Sequence, residues 1–89
     1  MNPVASETEE QVKEIWKALL SISEVEAQQT FFELGGDSLL MIDMFERVNK
    51  VFGIEVDPGS LFEDSSLRGF SQFVELSRKN SEGLSTGSI

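Results

Sequence analysis

The chain has 89 residues, 39% apolar and 26% charged, with 16 acidic against 7 basic side chains and a formal net charge of −9. That length suits one small domain with a thin core and little room for a catalytic cleft. The charge is the wrong sign for nucleic acid, whose binding displaces counterions from a basic surface, and anionic membranes repel it.

Cysteine and histidine are both absent, so disulfides and thiolate metal sites are excluded. The opening "MNPVASETEE" has neither the basic start nor the apolar run of a signal peptide, and residues 1–5 are expected to be flexible. The longest apolar stretch, Leu39 to Ile42, is far short of the ~20 residues that a membrane span needs. Lack of cysteine fits a reducing cytoplasm.

The first helix is expected over residues 7–20. Ser6 followed by Glu9 matches a capping box, and Glu7, Glu9 and Glu10 suit the positive end of the dipole. Val12, Ile15, Trp16 and Leu19 share one face, so Trp16 reads as core. Residues 21–37 have no period and read as a long ordered loop, pinned to the core by Phe31, Phe32 and Leu34, with Val25 as a further anchor.

A second helix is predicted from Ser38 to Phe52. Asp37 is its N-cap, and Gly53 stands where a left-handed residue ends it. A wheel at ~100° per residue puts Leu40, Met41, Met44, Phe45, Val48, Val51 and Phe52 on the core face. Leu39 and Ile42 fall off that face, beside Ser38, with Glu46 and Asn49 on the same side. Two aliphatic side chains ringed by acids next to a serine read as a docking patch.

Asp57 then Pro58 predicts a short helix at 58–62. The last helix is expected over 65–79, capped by Ser65 or Ser66, with Leu67, Phe70, Phe73 and Val74 as its stripe. Gly69 inside it suggests close packing. Residues 80–89, rich in Ser and Gly, are expected to form a flexible tail, leaving residues 6–79 as the domain. Three amphipathic helices and a short fourth without strands make an all-α four-helix bundle with a long loop between helices one and two.

Gly36-Asp37-Ser38-Leu39 also spells the signature of a family of serine esterases. A serine nucleophile needs a base, usually histidine, and the chain has none. Attachment suits Ser38 better. The first turn of a helix offers free N–H groups and a favourable dipole to a phosphodiester. Gly35 and Gly36 leave the approach uncrowded, while the Asp37 carboxylate opposes a phosphate only weakly through screening solvent.

The run "FFELGGDSLLMIDMFERVNKVFGIEV", followed by "LFEDSSLRGF", resembles the phosphopantetheine-binding carrier proteins over roughly residues 8–77. Its Leu-Gly-Gly-Asp-Ser-Leu form is most similar to peptidyl and aryl carriers of nonribosomal peptide synthesis. Many peptidyl carriers enter the last helix through Pro-Thr. Here Ser65-Ser66 stands in that place and keeps the capping chemistry.

The resemblance implies a chain that is not an enzyme. Ser38 would receive 4′-phosphopantetheine from coenzyme A through a separate magnesium-using phosphopantetheinyl transferase, with Gly36 and Asp37 completing the attachment segment. The arm would hold an aminoacyl, aryl or acyl group as a thioester. An adenylation or acyl-loading enzyme would supply that group, and condensation, tailoring or thioesterase enzymes would receive it. Leu39, Ile42, Glu46 and Phe62 are the expected partner contacts, and a monomer is expected. Two alternatives remain. One is an acyl carrier of polyketide or fatty acid synthesis. The other is an acidic helical interaction module with no prosthetic group. Met1 and the short stretch after the last helix suit either a free-standing carrier or an excised domain.

Overall fold

A computed structural model of the chain describes residues 7–87, with side-chain surroundings described for 7–79. Its elements are α1 (Glu7–Leu20), α2 (Ser38–Phe52), α3 (Gly59–Glu63) and α4 (Leu67–Gly87). The described residues form no strand, only an isolated antiparallel bridge between Thr30 and Ser66. The expected Ser6 cap and residues 1–5 lie outside the described residues.

α1 packs on α2 and α4 because its apolar stripe carries Val12 and Trp16 into full burial. Met44 and Val48 of α2, Leu61 of α3, and Leu67, Phe70 and Val74 of α4 meet them there. Trp16 is the hub. It touches Phe31 edge-on at 5.2 Å and stacks with Phe70 at 6.1 Å, and Phe70 in turn meets Phe45 at 5.6 Å. At the far end of the bundle the Arg78 guanidinium lies over Phe52, 5.1 Å from the ring centre. It also donates to Thr8 Oγ1 at 2.7 Å, and the Thr8 hydroxyl donates to Glu75.

The loop of residues 21–37 is ordered by backbone bonds. Leu34, Gly35 and Gly36 N–H groups donate back to Thr30, Phe32 and Phe31 carbonyls. Phe31 N–H donates to Ser65 O, while Leu67 and Arg68 N–H donate to Gln29 O and Ala27 O, each at 2.9 Å. The loop thereby supplies acceptors to two of the amides that every helix start leaves unpaired. Ser66 supplies the rest for α4: its Oγ accepts from Gly69 N–H at 3.1 Å and its carbonyl from Phe70 N–H at 2.9 Å.

Several expectations need correction. Phe32 does not pin the loop. It is 39% exposed, whereas Phe31 is fully buried, because neighbouring side chains of a tight turn leave it in different directions. Val51 is exposed rather than core, lying near the edge of the α2 stripe. α3 starts one residue later than expected, with Pro58 rather than Asp57 at its N-cap position, although Asp57 Oδ1 still accepts from Gly59 N–H at 3.0 Å. α4 begins at Leu67 and continues to Gly87 rather than ending at 79, since the segment has no proline to interrupt its hydrogen bonds. Gly69 packs directly against the Asp64 carboxylate, as its place inside the helix suggested.

Candidate functional site

Asp37 begins α2. Its carboxylate Oδ1 accepts from Leu40 N–H at 2.9 Å and its carbonyl from Met41 N–H at 2.8 Å. The Ser38 and Leu39 amides are left without partners among the described residues. Gly36 anchors the approach. Its N–H donates to Phe31 O at 2.9 Å, and a Cβ there would collide with the Phe31 ring. A buried aromatic ring thus fixes the backbone two residues before the serine.

Ser38 is the first residue of α2 and is exposed. Open amides and the positive end of the α2 dipole favour an anionic ester there, so the segment 36–38 fits a phosphodiester. Ser38 Oγ has no hydrogen-bond partner among the described residues, and Lys50 sits twelve residues along the same helix, about 18 Å away along its axis.

Leu39 is 78% and Ile42 55% exposed, with Glu46 exposed beside them, so the expected docking side of α2 faces solvent. Phe62 on α3 is 70% exposed. Phe32, not singled out as a surface residue in the sequence, stacks on it with centroids 6.2 Å apart and planes at 24°. The dipeptide "FE" occurs at Phe32-Glu33, Phe45-Glu46 and Phe62-Glu63, and Phe45 is buried, so the sequence carried no signal that sets the surface rings apart. Asn49 was also missed as a support: its Oδ1 accepts from Val56 N–H at 2.9 Å, pinning the α2–α3 loop.

Charge divides the surface. No Lys or Arg occurs from Ala18 to Glu46 or from Val51 to Leu67, segments that hold six and four carboxylates. Cations elsewhere are mostly paired: Lys13 with Glu10, Lys17 with Glu14, Arg68 with Glu9 and Arg78 with Glu75. Arg47 pairs with Asp43 on α2 at 3.2 Å. Two open clefts, about 300 Å³ beside Asp64, Arg68 and Gln72 and about 420 Å³ beside Glu46, Asn49 and Ile54, do not include Ser38. No group of metal-ligating side chains occurs among the described residues, and none of their helices is long and apolar enough to cross a membrane.

Residues 10–74 match the family model described as "Phosphopantetheine attachment site". A linear gramicidin synthase of Brevibacillus parabrevis is 35% identical over 92 residues, covering 96% of this chain and 1% of that protein. Polyketide synthase PksN of Bacillus subtilis (strain 168) is 40% identical over 77 residues, covering 86% of this chain and 1% of that protein. The chain therefore spans about one hundredth of the length of these relatives. Among solved structures, a chain in "Structure of the Phosphopantetheine Transferase Sfp in Complex with Coenzyme A and a Peptidyl Carrier Protein" matches with a TM-score of 0.73. It is 25% identical and covers 85% of this chain and 94% of that one.

Proposed function

This chain belongs to the phosphopantetheine attachment-site family, and from that premise we propose that Ser38 is the attachment point of a carrier domain with no catalytic activity of its own. Residues 6–79 are the carrier unit on this reading, a span that contains the family match. The observation that carries it is the start of α2, where an exposed serine sits beside two open amides behind a cap that occupies only the next two. In the attachment step the Ser38 hydroxyl oxygen forms the bond to the incoming phosphorus. The phosphorus–oxygen bond within the coenzyme A diphosphate would break, its nucleotide part leaving with the freed phosphate, and the serine proton would pass to a base on the transferase.

Once attached, 4′-phosphopantetheine would supply a thiol that holds an aminoacyl, aryl or acyl group as a thioester. The protein's own residues then do two things. Asp37, Gly36 and Phe31 keep the attachment residue at a fixed place, and Leu39, Ile42, Glu46 and Phe62 offer an apolar contact framed by carboxylates. A phosphopantetheinyl transferase, a loading enzyme and downstream condensation, tailoring or thioesterase enzymes are the partners this surface would serve. Basic rims on those partners would speed encounter. The work is assigned to the cytoplasm, to a monomer, and to nonribosomal peptide synthesis. The polyketide relative supports a second reading, in which the cargo is a simple acyl group.

The test is intact-protein mass after incubation with coenzyme A, magnesium and a broad-specificity phosphopantetheinyl transferase, run on the native chain and on Ser38→Ala. One added phosphopantetheinyl group in the native chain only is expected. No gain in a folded native chain would leave the prosthetic-free interaction module as the better account. Comparing aminoacyl with acyl loading of the modified chain separates the peptide reading from the polyketide one.

A further inference from the structure

The attachment reading assigns Phe62 only a generic contact and leaves Phe32 without a role, yet the two rings form a built surface. A single exposed apolar side chain is ordinary, but a stacked pair in which Phe62 is 70% exposed makes a platform for a third ring. Both rings are held from below. Phe32 meets Phe31 edge-on at 5.8 Å, and Phe31 meets Trp16 in the core. α3, which carries Phe62, is fixed at both sides. Asn49 holds Val56 ahead of it, and the Asp64 carboxylate accepts from Ser66 N–H and its hydroxyl behind it.

The platform lies close to the attachment residue. Because Gly36 N–H donates to Phe31 O at 2.9 Å, standard bond lengths hold the Cα atoms of Phe32 and Ser38 within about 16 Å of each other. A group tethered at Ser38 would experience a local concentration on the order of millimolar, so even a weak contact would be populated. Charge narrows the occupant. Each ring is followed directly by an exposed glutamate, Glu33 and Glu63, in segments without any Lys or Arg. A cargo carboxylate would be repelled there. An ammonium would be attracted.

The geometry points to Phe32 and Phe62, with Glu33 and Glu63, as a resting site for the group carried at Ser38. The site selects aminoacyl groups that combine an aromatic side chain with a free α-ammonium. The inference rests on the attachment reading and adds the cargo class. The cargo ring covers the open face of Phe62, and the ammonium lies toward the two glutamates.

The experiment loads the native chain and Phe62→Ala with coenzyme A analogues carrying phenylalanyl, N-acetylphenylalanyl or alanyl through a stable amide. Mass is recorded for each product, then aromatic NMR spectra. Cross-relaxation from the cargo ring to Phe62 and Phe32 is expected in the phenylalanyl form. Phenylalanine ring shifts should be several-fold larger than in the alanyl form, and should shrink when the ammonium is acetylated. In Phe62→Ala, with helical content unchanged, contact to Phe32 should be lost. Mass gain with the same ring signals in phenylalanyl and alanyl forms overturns the inference alone. So do ring signals that move only when a loading enzyme is added, which would make the pair a protein contact. No mass gain with any analogue overturns the attachment reading, and the resting site with it.

Discussion

α2 and α4 begin in opposite ways. At α4 each of the first four amides has an acceptor: Gln29 O, Ala27 O, Ser66 Oγ and Ser66 O. At α2 the cap serves Leu40 and Met41 only, and the amides of Ser38 and Leu39 stay open. Both starts use a short polar cap, so cap chemistry does not separate them. The difference lies in the loop of residues 21–37, which runs against α4 and gives it two carbonyls beyond its own cap, then turns at Gly36 and brings α2 only the Asp37 cap, which serves Leu40 and Met41. One start is closed and serves the fold. The other is open, with two amides and the positive end of its dipole left facing solvent.

Substitutions can pull the two starts apart. Ser38→Ala should abolish the phosphopantetheinyl mass gain completely while leaving stability within about 0.5 kcal/mol, because alanine is a good first-turn residue. A loss of far-UV helix signal would contradict that separation. Phe31→Ala should erase the contrast. Its backbone bonds Gly36 and Ser65, the residues just ahead of the two starts, and its ring packs on Gly36, so about 3–5 kcal/mol of stability should go in denaturant unfolding, and attachment should slow with it. Ser66→Ala is the mirror of Ser38→Ala. It should cost about 1 kcal/mol through the lost cap and leave the mass gain of the folded protein intact. Leu39→Glu should be the mildest in stability, within about 0.5 kcal/mol in the same unfolding assay. It should nevertheless weaken association with a loading enzyme in a binding titration, and normal binding would remove Leu39 from the docking surface.

Much of this contrast could be read from residues in order. Asp37 and Gly53 bracket α2 by their own chemistry, and the Val12-Trp16 period marks the core face of α1. The closure of α4 could not be read, because Gln29 O and Ala27 O lie about forty residues upstream and carbonyls carry no residue signature. The Phe31-Phe32 pair divides for a similar reason. A loop has no period, so the facing of each ring depends on the turn that the backbone makes, and that turn is set by the distant bond to Ser65. Val51 sits where a wheel reports direction but not whether a neighbouring helix extends that far. The exposure of Ser38 was legible because it follows from a local feature, the cap.

Trp16 gives the protein a built-in optical gauge. The chain has one tryptophan and no tyrosine, so excitation in the near ultraviolet above the phenylalanine band addresses a single chromophore. That indole is fully buried and touches a ring from the long loop on one side and a ring from α4 on the other. Its emission colour therefore registers detachment of the loop and separation of the helices through one signal, without a label on the surface.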